Sequence, residues 1–463
     1  MLHRRDAMLR LGQLGLGSLA LPGLLRAQHA LASADQVPRT SGKAKSCILV
    51  YLWGGPPQQD MWDMKPEAPE GIRGIFRPID TVVPGMQISD QLPLVAKHAD
   101  KLAIVRSLTH PSNVHEASVY HTLTGHANPT LALPRNKRNR RDHPGAGAIV
   151  SNFSPPGGMP ASVTIPRPIG HDGVVYSGTH AGFLGPRHDP LELMPPAEVN
   201  EPAPHTFELT DGLNAARVQA RFGLLELMEQ HDRRMQGGAA AQETDDFRQQ
   251  AFRMLTSPES KRAFDLEQEP AALHDLYGRN EYGESFLLAR RLVESGVRLI
   301  TFTWYYVCTN GDVANVWDNH GGTGSLGGIS GYDMLKANYC LPSLNQGFAA
   351  LLEDLSQRGL LDETMIAMYG EFGRTPTINS NAGRDHWGAC QSAVLAGGGI
   401  RGGQVYGASD GHAAYPKTKP VSPEDMLATI YHSLGLSPDL LIRDQTGRPT
   451  KISEGSPILD LFG

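Results

Sequence analysis

The residues Ser46-Cys-Ile-Leu-Val-Tyr-Leu-Trp53 form an all but unbroken apolar run that stops on Gly54-Gly55-Pro56-Pro57. A run of this kind offers no polar face to water, so both of its faces must be covered. Gly and Pro end it because Pro lacks the amide that a central ladder needs. The run reads as a strand in the middle of a parallel sheet. The same grammar recurs along the chain. Leu102 to Leu108 is a second strand, and Val297 to Trp304 a third, preceded by an amphipathic helix over Glu284 to Glu294 that Gly296 closes. A helix over Leu344 to Arg358, closed by Gly359, leads to a strand over Thr364 to Tyr369. Gln391 to Ala396 is another strand, ending in Gly397-Gly-Gly, and Pro423 to Leu434 is a final helix. Strands alternating with helices predict an α/β fold with a mostly parallel central sheet covered on both sides.

A chain of 463 residues with 40% apolar and 19% charged residues has ample material for a buried core. Its net charge of -6 gives nucleic acid no reason to bind. The first residues read as a targeting segment. Arg4 and Arg5 form a twin-Arg pair, an apolar run follows from Leu9 to Leu25, and Ala30-Leu-Ala32 resembles a small-x-small cleavage site. The expected organisation is a signal peptide over 1–32, a linker over 33–45 and one domain over 46–463, with a helical insertion over 200–290 that includes a helix from Ala215 to Met235. Export by the twin-Arg route to the periplasm or beyond follows from this reading, and cargo of that route often carries a metal acquired inside the cell. No other stretch is long and apolar enough to span a membrane. The four cysteines form no CxxC pair, and Cys47 reads as a buried thiol. Five basic residues in seven, Arg135 to Arg141, read as a solvated loop, and Pro155 to Pro190 as long loops over one face.

In open α/β sheets, ligands bind beyond the carboxyl ends of the strands. Asp60 and Asp63 follow the strand at 46–53. Asp318 and His320 follow the strand at 297–304. Glu371 and Arg374 follow the strand at 364–369, with His386 shortly after. Carboxylates and imidazoles converging there suit a divalent metal, Zn, Mn or Ca. Such an ion activates water or polarises an ester oxygen, and Arg374 would clamp an anionic substrate. The segment Thr109 to His126 carries His110, His115, His121 and His126. Two readings stand for it: a helix starting near Ser112 to Glu116 that the histidines cap or cover, or His115 facing the site as ligand, base or nucleophile.

Leu52-Trp-Gly-Gly-Pro-Pro-Gln-Gln-Asp-Met-Trp-Asp63, His115-Glu116, Leu123-Thr-Gly125, Ala289-Arg-Arg-Leu-Val-Glu294, Trp317-Asp-Asn-His320, Gly370-Glu-Phe-Gly-Arg-Thr-Pro376 and Gly383-Arg-Asp-His-Trp387 together resemble the DUF1501 proteins over nearly the whole chain. That family is more distantly similar to the alkaline-phosphatase/sulfatase superfamily. The likeness implies an alkaline-phosphatase-like three-layer α/β/α fold, usually with two metals. It also implies that Asp318 and His320 stand for an Asp…His ligand pair, Glu371 for a later Asp-His pair and His386 for a final His ligand. Two departures are plain. Gly54 and Gly55 stand where the superfamily's first strand ends in a metal-binding Asp, so Asp60 or Asp63 would have to complete the shell. His115 stands where sulfatases carry the Cys or Ser that becomes formylglycine, which leaves Ser112 as the nearby hydroxyl. The expected function is a metal-dependent hydrolase of phosphate or sulfate esters, acting on an anionic small molecule or a sulfated or phosphorylated polymer. The alternative is a non-catalytic relative that binds an anionic glycan or an envelope partner.

Overall fold

A computed structural model describes residues 40–128, 130–131, 136–155, 157–171, 173–193, 217, 257–308 and 311–463. Eight strands form the central sheet: β1 (Ser46–Tyr51), β2 (Leu102–Leu108), β3 (Ser162–Ile165), β4 (Leu191–Glu192), β5 (Leu299–Thr303), β6 (Thr364–Tyr369), β7 (Gln391–Ala396) and β8 (Gln404–Tyr406). They lie in the order β8-β2-β7-β6-β1-β5-β3-β4. The run at 46–51 is indeed central: it pairs in parallel with β6 on one side and β5 on the other. Only β7 opposes its neighbours, running antiparallel to both β6 and β2. No helix crosses over between β6 and β7, and strands joined without a crossover pair antiparallel. The β6–β7 connection is instead an excursion over the end of the sheet, and it carries Glu371, Arg374 and His386.

Period-two alternation splits the sheet's side chains between two helical layers. Ile48, Val50, Ile300, Phe302, Ile366 and Met368 face a core shared with α4 (Glu281–Glu294) and α5 (Leu341–Gln357), through Phe286, Leu287, Phe348 and Leu351 among others. Each such side chain buried contributes about 1.5–3 kcal/mol. On the opposite face lie α2 (His115–Thr124), α3 (Ala146–Asn152) and α6 (Pro423–Ser433). Tyr51 of β1 reaches Thr122 of α2 there, hydroxyl to hydroxyl at 2.7 Å. α6 packs against β6 and α2. Helix ends follow local chemistry. The Asn280 side chain accepts the amides of Tyr282 and Gly283 at the start of α4. Ser422 and Asp425 form a capping box at the start of α6. The expected three-layer α/β/α arrangement is the one observed.

The twin-Arg segment, most of the 33–45 linker and most of the 200–290 insertion lie outside the described residues. The last linker residues join the domain, since the amides of Ala44 and Lys45 donate to the carbonyls of Ser433 and Glu363. All four cysteines are buried free thiols, and burial pushes Cys47 up to about 12. Of the basic stretch, Arg138 pairs with Glu192 and Arg140 with Asp189, so these two charges are engaged within the fold and not simply solvated. Among the described residues, no helix is long and apolar enough to cross a membrane.

Candidate metal centre

The carboxyl ends of β1, β5 and β6 point to one place, and the start of α2 closes over it. At its centre is Asp318. Three imidazoles direct their Nε2 atoms at its carboxylate: His386 at 3.0 Å from Oδ1, and His115 at 3.2 Å and His320 at 3.3 Å from Oδ2. Single donor atoms of His115, Asp318 and His386 all lie within 4.8 Å of one another. The other nitrogen of each ring is tied to an acceptor. His386 Nδ1 donates to the carbonyl of Asn113 at 3.0 Å, His320 Nδ1 to that of Gly321 at 2.8 Å, and His115 Nδ1 to Glu371 Oε1 at 2.6 Å. A carbonyl only accepts, so Nδ1 carries the hydrogen in His386 and His320. The lone pair of each neutral ring then sits on Nε2, turned toward Asp318.

The Gly370-Glu-Phe-Gly-Arg374 motif builds the wall behind this cluster. Glu371 is fully buried. It accepts the Gly54 amide at 2.9 and 3.1 Å and holds His115 in place. Phe372 lies against both His115 and His386, with ring centroids 4.8 and 4.6 Å away. Arg374 donates to Asp318 Oδ1 at 2.7 Å and to the carbonyls of Gly54, Gly55, Trp317 and Arg384. Burial by itself would depress the His115 pKa, but the Asp318 and Glu371 carboxylates outweigh it and raise it to about 9. Burial would raise Asp318, yet Arg374, His115 and His320 hold it well below the usual carboxylate range. The Asp318 hydrogen bond raises His320, against the opposing effect of burial.

Gly54 explains why the first strand ends without an acid. Its φ of 119° is open to glycine, and a Cβ there would lie 2.3 Å from the Asp318 amide nitrogen. The loop that brings Asp318 occupies the place a side chain would need, and the Gly54 amide takes on the task of fixing Glu371.

Asp318, His320 and His386 therefore come together as the sequence predicts, with His115 joining them. The other predicted residues are placed differently. Asp60 lies in a fully buried ion pair with Arg384, 2.6 Å from its Nε, and also accepts from Tyr332. Asp63 is taken by Lys65 at 2.8 Å and by the Ser409 hydroxyl. Glu371 touches His115 and not Asp318. Arg374 has no exposed guanidinium to offer an anion, because backbone carbonyls and Asp318 consume its donors. Ser112 Oγ accepts the Val114 amide at the start of α2. The sequence reading missed the Asn113 carbonyl and Phe372. Phe372 carried a signal, as the one apolar residue inside a polar Gly-Glu-Phe-Gly-Arg turn; a backbone acceptor such as Asn113 carries none.

The cluster opens to solvent on one side, where Asn113, His320, Asp385 and His386 line a shallow depression. The His320 side chain is 36% exposed and that of Asp318 14%.

The family model described as "Protein of unknown function (DUF1501)" matches residues 44–462. No curated protein matches the chain. Among solved structures, the chain is similar to the sulfatase PsFucS1 from a Pseudoalteromonas species, with 12% identity over 89% of this chain and 70% of that one, at a TM-score of 0.38. It is also similar to Ps i-CgsB (11% identity, 91% and 75% covered, TM-score 0.39). A third likeness is to the phosphonate monoester hydrolase SpPMH from Silicibacter pomeroyi (12% identity, 80% and 71% covered, TM-score 0.35).

Proposed function

We propose, for a chain that belongs to the DUF1501 family, a metal-dependent hydrolase of phosphate or sulfate esters in which His115, Asp318, His320 and His386 hold one divalent ion. One observation carries this reading. Three Nε2 atoms face one carboxylate at 3.0–3.3 Å while their Nδ1 atoms are tied to acceptors. In His320 and His386, where a carbonyl fixes the hydrogen on Nδ1, a neutral ring turns its Nε2 lone pair on the carboxylate, which is repulsive at that distance unless positive charge lies between. Three protons would crowd three imidazolium rings around Asp318 beside Arg374. A single divalent cation would draw on His115, Asp318 and His386, whose donor atoms lie within 4.8 Å of one another, with His320 beside Asp318 as a fourth group. Tying the far nitrogen of a ligating histidine to a carbonyl or carboxylate is the usual way such a ring is oriented and its tautomer fixed.

The donor set decides between cations. Three imidazoles and one carboxylate suit Zn²⁺ or Mn²⁺, whereas Ca²⁺ prefers six to eight oxygens. Such an ion supplies Lewis acidity and an activated water. The chain's own residues do the rest. Glu371 orients His115, Phe372 keeps water from the rear of His115 and His386, and Arg374 fixes Asp318 and the Gly54-Gly55 backbone. Arg374 is sealed behind Asp318, so an ion held by the histidines and Asp318, and no side-chain cation, would supply the charge for an ester oxygen. Export follows the twin-Arg segment, Arg4-Arg5, and predicts that a double Lys substitution there retains the protein inside the cell.

Elemental analysis of the full chain, purified without chelator, tests the site. About one equivalent of Zn or Mn, lost in Asp318→Asn, is expected, together with turnover of 4-nitrophenyl phosphate or sulfate that vanishes with the metal. A folded native chain that takes up neither ion when offered it would sink the proposal. The second reading, a non-catalytic relative binding an anionic glycan or envelope partner, rests on the engagement of Ser112 and Arg374 in the fold. Metal at full occupancy with no turnover of any ester would favour it.

A further inference from the structure

Beside the metal centre runs a second cleft, lined by Ile72, Pro376, Asp385, Trp387, His412 and Tyr415 among others. It borders the depression over the metal centre, because Asp385 lines both. The two places are also joined through one short strand, His386–Trp387, which pairs with Gly373–Arg374. Successive residues of a strand face opposite ways, so His386 turns to Asp318 while its neighbour Trp387 serves the cleft.

The aromatic floor is fixed in place. Trp387 Nε1 donates to the Ala414 carbonyl at 2.6 Å, and the Tyr415 ring packs edge-on to the indole with centroids 5.6 Å apart. The loop that presents Tyr415 is itself pinned. The Asp410 carboxylate accepts the amides of His412 and Ala414, and Gln58 Nε2 donates to the Ala413 carbonyl. Tyr415 is nevertheless 54% exposed, so a large fixed aromatic face stands open to solvent with nothing packed on that side. Asp385 is exposed at the junction of the two depressions and spends Oδ1 on the Asn379 amide. Its Oδ2 accepts no hydrogen bond among the described residues.

The lining excludes one class of ligand and fits another. Among the described residues it contains no Lys or Arg, and Asp385 adds a negative charge. A phosphate or sulfate group would find no Lys or Arg among these residues and would face the Asp385 carboxylate. A pyranose ring has the complementary chemistry. One face presents C–H groups that lie on an aromatic ring, and its edge presents hydroxyls that donate to a carboxylate and accept from an imidazole.

We propose that the Trp387–Tyr415 cleft binds a neutral pyranose ring, lying on the aromatic faces with its hydroxyls to Asp385 and His412. The cleft is then the seat of the uncharged part of the substrate, so that the ester cleaved at the metal centre is a sugar ester. For the position of the ester the proposal rests on the metal-site reading, but the binding of the sugar is measured without turnover.

Saturation-transfer NMR of the full chain with D-glucose, D-galactose, L-fucose and N-acetyl-D-glucosamine tests it. At least one sugar should give a signal in the native chain and equally in Asp318→Asn, in which the metal is expected to be lost. Tyr415→Ala, an exposed position, should weaken that sugar about tenfold or more, and Asp385→Asn should weaken it less. Metal content and far-ultraviolet dichroism of the Tyr415→Ala chain should match those of the native protein, while KM for D-glucose 6-sulfate rises. No signal from any of the four sugars, or a signal untouched by Tyr415→Ala, overturns the cleft. Loss of metal binding and turnover with the sugar signal intact would instead overturn the metal-site reading alone.

Discussion

Two carboxylates stand behind the carboxyl end of this sheet and meet different surroundings. Asp60 faces Arg384, both side chains fully buried, and the rest of that guanidinium is spent on the carbonyls of Ile72, Thr375 and Pro376. Asp318 faces one buried arginine and three histidines, and opens to solvent through His320. An arginine cannot give up its proton, so the Asp60 pair is permanently closed. Imidazoles can lose theirs, and rings tethered at Nδ1 present a free lone pair toward the acid. The same residue type is thus a clamp in one place and a socket in the other, and the partner's proton makes the difference.

Breaking the clamp should cost the most. Asp60→Ala leaves the Arg384 guanidinium buried with no carboxylate beside it among the described residues, and about 3–5 kcal/mol of stability should go with it. Urea unfolding measures this, and a loss below about 1 kcal/mol would show that the pair is not the clamp described. Asp318→Asn should behave in the opposite sense. Bound metal falls to background by elemental analysis while the far-ultraviolet dichroism of the chain is unchanged.

A smaller effect separates the ligands from their supports. Glu371→Gln removes the charge behind His115 and keeps the shape. The expected result is a 10- to 100-fold weaker metal affinity by competition with a chromogenic chelator, with occupancy recovered at high metal. Complete loss at every concentration would make Glu371 a ligand, as the sequence reading had it.

The smallest effect concerns pH. His110 donates from Nε2 to the Glu371 carbonyl and is buried, and that burial lowers it from an ordinary 6.5 to about 4. The unfolded chain therefore takes up this proton first. Its contribution to stability is whole above 6.5 and is lost as pH falls from 6.5 to 4. His126, lowered to about 4 by burial and then by His143, adds to the same window. In the metal-free chain His115 acts in the other direction. Its pKa is raised to about 9, so its contribution is present below 6.5 and is lost as pH climbs through 9. The melting temperature of metal-free protein should fall on both sides of neutrality, and His110→Asn should flatten the acid limb alone.

Much of the sheet was legible because its central strands are apolar on both faces, and β1, β6 and β7 lead into glycine. β2, β6 and β7 begin and end where the residues said. β3, β4 and β8 were not read, since strands of two to four residues at or near the sheet's edge carry too little pattern. Asp318, His320 and His386 were legible by position, as acids and imidazoles just past strand ends. The division of labour between Asp318 and the other acids was not. Whether a carboxylate meets an arginine or a histidine depends on which loops cross above the sheet, and Arg384 and Asp60 are 324 residues apart. Arg374 was misjudged for the same reason: a guanidinium reads alike whether it faces an anion or four carbonyls.

The spacing of the cluster along the chain has a consequence for how an ion would arrive. His115 and Asp318 are 203 residues apart, and Asp318 and His386 a further 68. No short peptide of this protein holds two of the three groups, so an emerging or unfolded chain offers at most the Asp318–His320 pair. Capture of an ion would have to wait until β1, β5 and β6 have zipped together, and the affinity gained then would be withheld from the denatured ensemble. Such an ion would act as a seal set after assembly, and its rate of uptake would time the last step of folding.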